Sequence, residues 1–395
     1  MYREGILLRG DLISLPMMER FIGFDTVSRN SNLPLIEFVR DHLLDLGFEV
    51  SLTHDDEGRK ANLLATIGPR EVPGIVLSGH TDVVPVNDQA WTSDPFKLTR
   101  RDDRFLGRGV VDMKGFLAIA TAYAGKLADA ALARPVHLAM SYDEEVGCLG
   151  VPRLVEDLAR RGPRPYACIV GEPSGMELIV AHKGKIGGRV SVTGLAAHSG
   201  VAHIGINAVE AASEAVARLK QIGHRLKTQG PFNSGFEEPS YTTIQTCRIE
   251  GGTAVNIVPA HCVFDFDIRY LPGEDPRHYV HECKDYVERN VLPGMKVGLA
   301  EASFDWVEVP GCLPLNTDED EEVVDLARIL AEASTVTRVG FGTEAGYFQE
   351  AGIPTVICGP GDIGQAHKPD EFITLDQIAR CENFMKRMID HACTP

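Results

Sequence analysis

The nine cysteines of this chain are scattered, odd in number, and nowhere form a Cys-x-x-Cys pair. A disulfide framework and a zinc knuckle are both excluded, and a reducing cytoplasm suits such a chain. Positive charge is also in deficit. Lysine and arginine number 39 against 56 aspartates and glutamates, for a formal net charge of −17. That balance repels phosphate backbones and anionic lipid, so neither nucleic acid nor a membrane is expected as a partner. It does not bear on a small substrate, because a bound metal reverses the local field. No segment is long and apolar enough to span a bilayer. The opening stretch MYREGILLRGDLISLPMMERF breaks its short apolar run with charge and proline, unlike a secretory signal, so the protein is expected to stay where it is made. Internal repeats and low-complexity tracts are missing too.

The 395 residues exceed the size at which a single core stops growing, which makes two domains the natural expectation. The apolar and charged fractions, 44% and 24%, are those of a soluble globular protein. Gly74 to Asp82 (GIVLSGHTD) is an apolar run that reads as a buried strand and stops at His80-Thr81-Asp82. Three further runs repeat the design: Val136 to Met140 leads into Asp143-Glu144-Glu145, Ala167 to Val170 into Glu172, and Thr355 to Cys358 through a glycine-rich turn to His367. Such runs suit parallel strands buried on both faces, and open α/β sheets bind ligands beyond the carboxyl ends of their strands.

In chain order, Leu33 to Leu46 reads as a helix with Asn32 as N-cap and Gly47 as its stop, and Phe48 to Leu52 and Ala61 to Ile67 as strands. Phe116 to Leu127 reads as an apolar helix, with Asp112 just before it as a helix cap or a metal ligand. Around Lys183 the pattern changes to alternating strands. Lys185 to Thr193, a helix from Asn207 to Ile222, strands Tyr241 to Ile249 and Cys262 to Tyr270, a helix from Pro276 to Arg289 and a strand Lys296 to Ala302 give a β-α-β-β-α-β order, the split βαβ of a small α+β domain. From about Cys312 helix and buried-strand patterns return, and Val323 to Ala333 is an amphipathic helix. The expected fold is therefore α/β: a mostly parallel-sheet hydrolase domain, residues 1–182 and 303–395, into which an α+β domain, residues 183–302, is inserted.

His80, Asp112, Glu145, Glu172 and His367 offer imidazole and carboxylate ligands without thiolate, a set suited to zinc or cobalt in a hydrolytic site. Five ligands exceed what one catalytic ion needs. With one carboxylate shared, two ions each have three protein ligands and an open position. Asp82, two residues after His80, is placed to fix the imidazole tautomer. Of the neighbours Glu144 and Glu145, one can ligate while the other takes the proton of the attacking water and passes it to the leaving nitrogen. Each residue alone has an ordinary reading: a hydrogen-bonded histidine, a solvated acidic loop, a helix cap. Their convergence at one sheet edge is what argues for a site. Cys148 and Cys358 read as packing residues, and Gly359-Pro360-Gly361 lacks the lysine of a nucleotide loop.

SGHTDVVPV, GRGVVDMKG, SYDEEVG, VGEPSG, GLAAHSG and FGTEAGYFQEAGIPTVICGPGDIGQAHKPDEF together resemble the M20 family of dinuclear-zinc amidohydrolases, and most closely its acetylornithine deacetylase branch. The resemblance spans nearly the whole chain. It implies that Asp112 bridges two zinc ions, that His80 and Glu172 complete one and Glu145 and His367 the other, that Glu144 is the general acid and base, and that Asp82 orients His80. It implies a cis peptide after Asp112. It also implies a homodimer built through the inserted domain, with His198 reaching the partner's site to hydrogen-bond the scissile carbonyl oxygen. Arg269 matches a family arginine that grips a substrate carboxylate, and Asn256 a position near the same pocket. The implied reaction is hydrolysis of a small N-acyl amino acid, foremost N2-acetyl-L-ornithine. A desuccinylase, a dipeptidase and another deacylase are the alternatives within the family, and a binding or regulatory protein without catalysis the alternative outside that class.

Overall fold

A computed structural model describes residues 12–236 and 239–394, so residues 1–11 of the opening stretch lie outside it. The chain divides into two compact units, Met1–Ala181, Leu315–Thr337 and Thr343–Pro395 in one, and His182–Pro314 with Arg338–Gly342 in the other. No helix among the described residues is long and apolar enough to cross a membrane.

The first unit is built on a nine-stranded sheet. Its spatial order is Glu49–His54, Ala61–Ile67, Val136–Ser141, Ile75–His80, Ala167–Val170, Thr355–Ile357, Leu178–His182, Leu315–Asn316, and Val336–Val339 pairs with Leu178–His182 off this path. The four central strands, from Val136–Ser141 to Thr355–Ile357, pair in parallel, and antiparallel strands flank them. Every residue of Ile75–His80, Val136–Ser141 and Ala167–Val170 is buried, which is why these strands are apolar throughout instead of alternating. Helices Leu33–Asp45, Lys114–Ala122, Glu322–Ala331 and Leu375–Ala392 share their core. Lys114–Ala122 is buried along its length and packs against Leu15–Ile22, Leu375–Ala392 and the strand Ile75–His80. Gly171 makes the close packing possible: a Cβ there would stand 2.0 Å from the Phe116 ring. His80 lies level with Ser141, and Ser78 with Val170, so the residues that follow these strands gather at one sheet edge.

Two local expectations change. Asn32 occupies the N-cap position but makes no cap bond; its amide instead donates to Ala61 O and Thr81 Oγ1 and accepts from Ala61 N, tying the helix to the sheet beside His80. The helix expected from Phe116 to Leu127 begins at Lys114 and divides at Tyr123 into Lys114–Ala122 and Ala124–Ala128.

The second unit has a four-stranded antiparallel sheet in the order Thr243–Gly251, His261–Tyr270, Gly184–Thr193, Ser303–Cys312. His261–Tyr270 alternates strictly, its buried set packing with helices Ala208–Gln229 and Arg277–Asn290. Asn207 caps the longer helix, its Oδ1 accepting from Val209 N and Glu210 N. The β-α-β-β-α-β order is present, but its last strand is Ser303–Cys312. Residues 296–302, expected as that strand, include the end of a short helix, Leu292–Gly298. The boundary accordingly falls after Pro314 and not at 302/303, because Ser303–Cys312 pairs with Gly184–Thr193.

Candidate metal centre

His80 is the last residue of its strand and fully buried. Its Nδ1 lies 2.9 Å from the Asp82 backbone carbonyl, which only accepts, so Nδ1 carries a proton and Nε2 faces Asp112 Oδ1 at 3.0 Å and Glu172 Oε1 at 3.5 Å. The Asp82 carboxylate, expected to orient His80, stands 3.6 Å behind Nδ1. It also accepts from Ser28 Oγ, Glu144 N and Glu145 N, and so fixes the turn that carries both glutamates.

Asp112 ends the loop before helix Lys114–Ala122, makes no cap for it, and is joined to Met113 by a cis peptide bond. Its carboxylate is divided. Oδ1 faces His80, while Oδ2 lies 3.0 Å from His367 Nε2, which is also 3.2 Å from Glu145 Oε2. Two trios result, His80, Asp112 and Glu172, and Asp112, Glu145 and His367, each with one donor atom per residue within 4.8 Å of the others. Glu144 belongs to neither trio. Its Oε1 accepts from Cys148 Sγ at 3.5 Å, so Cys148, read from sequence as a packing residue, touches the candidate base.

The electrostatics fit a cation. Burial, reinforced by neighbouring carboxylates, pushes Glu144 up to about 8 and Glu145 up to about 7, and raises Glu172 well above the usual range. Hydrogen bonds with Asp112 and Glu145 lift His367 to about 10. Burial works against ionisation of His80 and Asp112, yet their mutual bond and those with Asp82 and His367 raise the imidazole and hold the Asp112 carboxyl far below the usual range. The carboxylates thus demand positive charge, and divalent ions would meet that demand by displacing the imidazole protons. Glu145 Oε1 is buried without a hydrogen-bond partner, as an additional metal-facing atom would be. Imidazole nitrogen and carboxylate oxygen without thiolate suit zinc or cobalt.

Behind the site lie two acids that sequence reading passed over. Glu344 accepts from Ser78 Oγ and Ser141 Oγ, joining the two strands that deliver His80 and the Glu144-Glu145 turn. Glu371 pairs with Arg108 and accepts from the backbone of the loop that ends at Asp112. Both sit inside quoted motifs, but nothing local reveals partners that are 203 to 266 residues away.

The other three candidates belong to the second unit. His198 is exposed on the short strand Ala197–His198, with Nδ1 accepting from Gly200 N. The Asn256 carbonyl accepts from Ser199 N, and His198 pairs with Ile257, so Asn256 sits beside His198. Arg269 donates to Asp267 at 3.1 Å and pairs with Lys185 at the start of strand Gly184–Thr193, whereas His198 follows that strand's end. Asn256 thus lies next to His198, toward the other end of that strand from Lys185 and Arg269.

An open sheet with a parallel centre that gathers imidazole and carboxylate donors where its strands end, His80, Asp112 and Glu172 buried and His367 exposed, carries the donor set of a metal-dependent hydrolase. Within that class, residues 76–391 match the model of Peptidase family M20/M25/M40, and the chain belongs to that family. Acetylornithine deacetylases of Photorhabdus laumondii and Pasteurella multocida are each 34% identical to it, over 92% and 97% of this chain and 91% and 96% of theirs. Among solved structures, the M20 family metallo-carboxypeptidase Sso-CP2 from Sulfolobus solfataricus superimposes with a TM-score of 0.77 at 17% identity, covering 96% of this chain and 99% of its own. The YXEP protein of Bacillus subtilis, described as a dinuclear metal binding peptidase of the M20 family, gives 0.62 at 15% identity, covering 95% and 97%. At these identities the structures speak for the fold alone.

Proposed function

We propose that this chain is a dinuclear amidohydrolase that removes the acyl group of a small N-acyl amino acid, with N2-acetyl-L-ornithine and water giving L-ornithine and acetate as the first candidate reaction. The observation that carries the reading is the Asp112 carboxylate, whose two oxygens face two different donor trios. The similarity to acetylornithine deacetylases over more than nine-tenths of the chain supports the substrate. His80, Asp112 and Glu172 would hold one zinc ion, and Asp112, Glu145 and His367 the other, with cobalt as a substitute. When bound, the ions supply Lewis acidity to the acyl carbonyl and to water. Asp82 holds the backbone of the glutamate turn, and from it Glu144 accepts the proton of the attacking water and delivers it to the leaving amide nitrogen. His198 donates to the carbonyl oxygen as charge develops there, and Arg269 and Asn256 bind the substrate's polar groups. The protein acts in the cytoplasm as a homodimer, each His198 serving the partner's site.

Acyl release is measured on N2-acetyl-L-ornithine, N-succinyl-diaminopimelate and dipeptides, before and after exhaustive chelation. Release from the acetyl substrate that disappears with the metal and returns with zinc or cobalt is expected. Full activity after metal removal sinks the mechanism, and release from only the succinyl or peptide substrates moves the assignment to those. For the dimer, mixed His198→Ala and Glu144→Ala subunits should regain part of the activity that each lacks alone. Mixed dimers without recovered activity would place the histidine in its own chain's site or outside catalysis.

A further inference from the structure

The two trios are mounted differently. His80 closes a buried strand and Glu172 follows another, whereas Asp112 and His367 both stand on loops, His367 with a left-handed backbone at φ +64°. That conformation is uncommon for a non-glycine residue and persists only where the surroundings hold it. Thr92 N and Oγ1 donate to the Asp370 carboxylate on the same loop, and a polar chain reaches His367 itself. Glu371 Oε1 accepts from Val111 N at 2.8 Å and Asp112 N at 3.2 Å, and its Oε2 from Gly109 N at 3.2 Å and Arg108 Nη1 at 2.6 Å. Arg108 Nη2 donates to Gln89 Oε1 at 2.6 Å, and Gln89 Nε2 donates to the His367 carbonyl at 2.9 Å. Trp91 Nε1 shares the Gln89 oxygen at 3.0 Å. The ion pair at the centre is buried, 1% and 0% exposed. Such a pair adds little net stability over apolar side chains of the same size, so its use lies in what it orients: three backbone N–H groups leading to Asp112 on one side and, through Gln89, the His367 backbone on the other.

We propose that the Glu371–Arg108–Gln89 chain positions Asp112 and His367 against each other, and thereby sets the affinity for the cation held by Asp112, Glu145 and His367 in preference to the other. The inference rests on the dinuclear reading above. Glu371→Gln removes one acceptor and turns an amide donor toward either the guanidinium or the backbone N–H groups, so no orientation satisfies the site. Gln89→Glu is the more selective change: it keeps the oxygen that Arg108 and Trp91 use and replaces only the donor to His367 with a repelling oxygen.

Metal-free protein is titrated with zinc by calorimetry, and its unfolding midpoint is recorded alongside. Wild type should take two ions. In Gln89→Glu the first ion should bind as in wild type while the second weakens by about 10–100-fold, the usual effect of removing a group that orients a ligand, whereas Glu371→Gln, which disturbs the Asp112 shared by both trios, should weaken both. In Gln89→Glu, where the ion pair survives, the metal-free midpoint should stay put. That variant carries the test even if Glu371→Gln fails to fold. Two ions bound by Gln89→Glu as tightly as by wild type, or both weakened equally, would overturn the clamp and leave the dinuclear reading standing. Fewer than two ions in wild type would remove both.

Discussion

Glu144→Gln separates base from ligand. The change preserves shape, and because the Glu144 oxygens belong to neither trio, the variant should still bind two ions. Its backbone stays anchored, since Glu144 N donates to Asp82 Oδ1 at 3.0 Å irrespective of the side chain. What it alters in contacts is a thiol bond from Cys148 at 3.5 Å, a second-order interaction of about 0.5–1 kcal/mol. What it loses in chemistry is larger. A positioned general base contributes about 10²–10⁴-fold, and at 1.36 kcal/mol per decade that is about 2.7–5.5 kcal/mol of barrier. The expected result is turnover reduced by two to four decades with metal content and unfolding midpoint near wild type. Glu145→Gln is the counterpart: with Oε2 at 3.2 Å from His367 Nε2, it should lose one ion. Metal content after gel filtration and amine release under saturating substrate measure both. If Glu144→Gln emerges with one ion and Glu145→Gln with two, the roles are exchanged. If Glu144→Gln keeps more than about a tenth of its turnover, the proton travels by another route.

Further tests address the scaffold. Gly171→Ala pushes a Cβ into the Phe116 ring and should destabilise by about 1–3 kcal/mol, partly recovered by Phe116→Leu; an unchanged urea midpoint would mean the ring moves freely. Lys60→Met strands the buried Asp143 carboxylate that Lys60 Nζ contacts at 2.5 and 2.6 Å, for a loss of about 3–5 kcal/mol that Lys60→Met/Asp143→Asn should largely restore. Burial lowers His137 from 6.5 to about 4, so the unfolded chain takes up a proton that the folded one refuses. Its contribution is intact above pH 6.5 and is lost as pH falls toward 4, by up to about 3 kcal/mol. His137→Gln should flatten that part of the stability profile; an identical slope would assign it to other groups.

The strands that carry the centre were legible because burial on both faces leaves an apolar run whose end is marked by a polar residue, as in Ile75–His80 and Ala167–Val170. Ser303–Cys312 was not. It is an edge strand with Val307 and Val309 exposed and with Pro310-Gly311 inside it, a sequence that reads as punctuation although an edge tolerates proline. The run Lys296 to Ala302 took its place in the reading, although its first residues belong to the helix Leu292–Gly298, which the proline near its start suits. Asn32 shows the same limit at one residue. Capping is a local rule, whereas its actual bonds reach Ala61 and Thr81, neighbours only in the folded sheet. For the centre, the five donors were named from the chemistry of their side chains, and the structure gathers them. The supports Glu344 and Glu371 had no such signature, since an acid is recognisable as a brace only once its distant donors are in place.

The way the chain leaves and re-enters the first unit bears on how such a molecule is assembled from modules. Ala181 and Leu315 bound the main excursion, and Thr317 N donates to Val180 O at 2.9 Å, so the two strands that the excursion joins are immediate neighbours. Domains are inserted with least disturbance where the two ends of the host lie side by side. Topologically the intervening 133 residues, 182 through 314, replace the loop of a simple strand-to-strand connection. All five residues of the two donor trios lie outside this excursion, on the first unit. One lengthened connection between Ala181 and Leu315 would account for the main excursion alone, because Arg338–Gly342 joins the second unit from a separate segment.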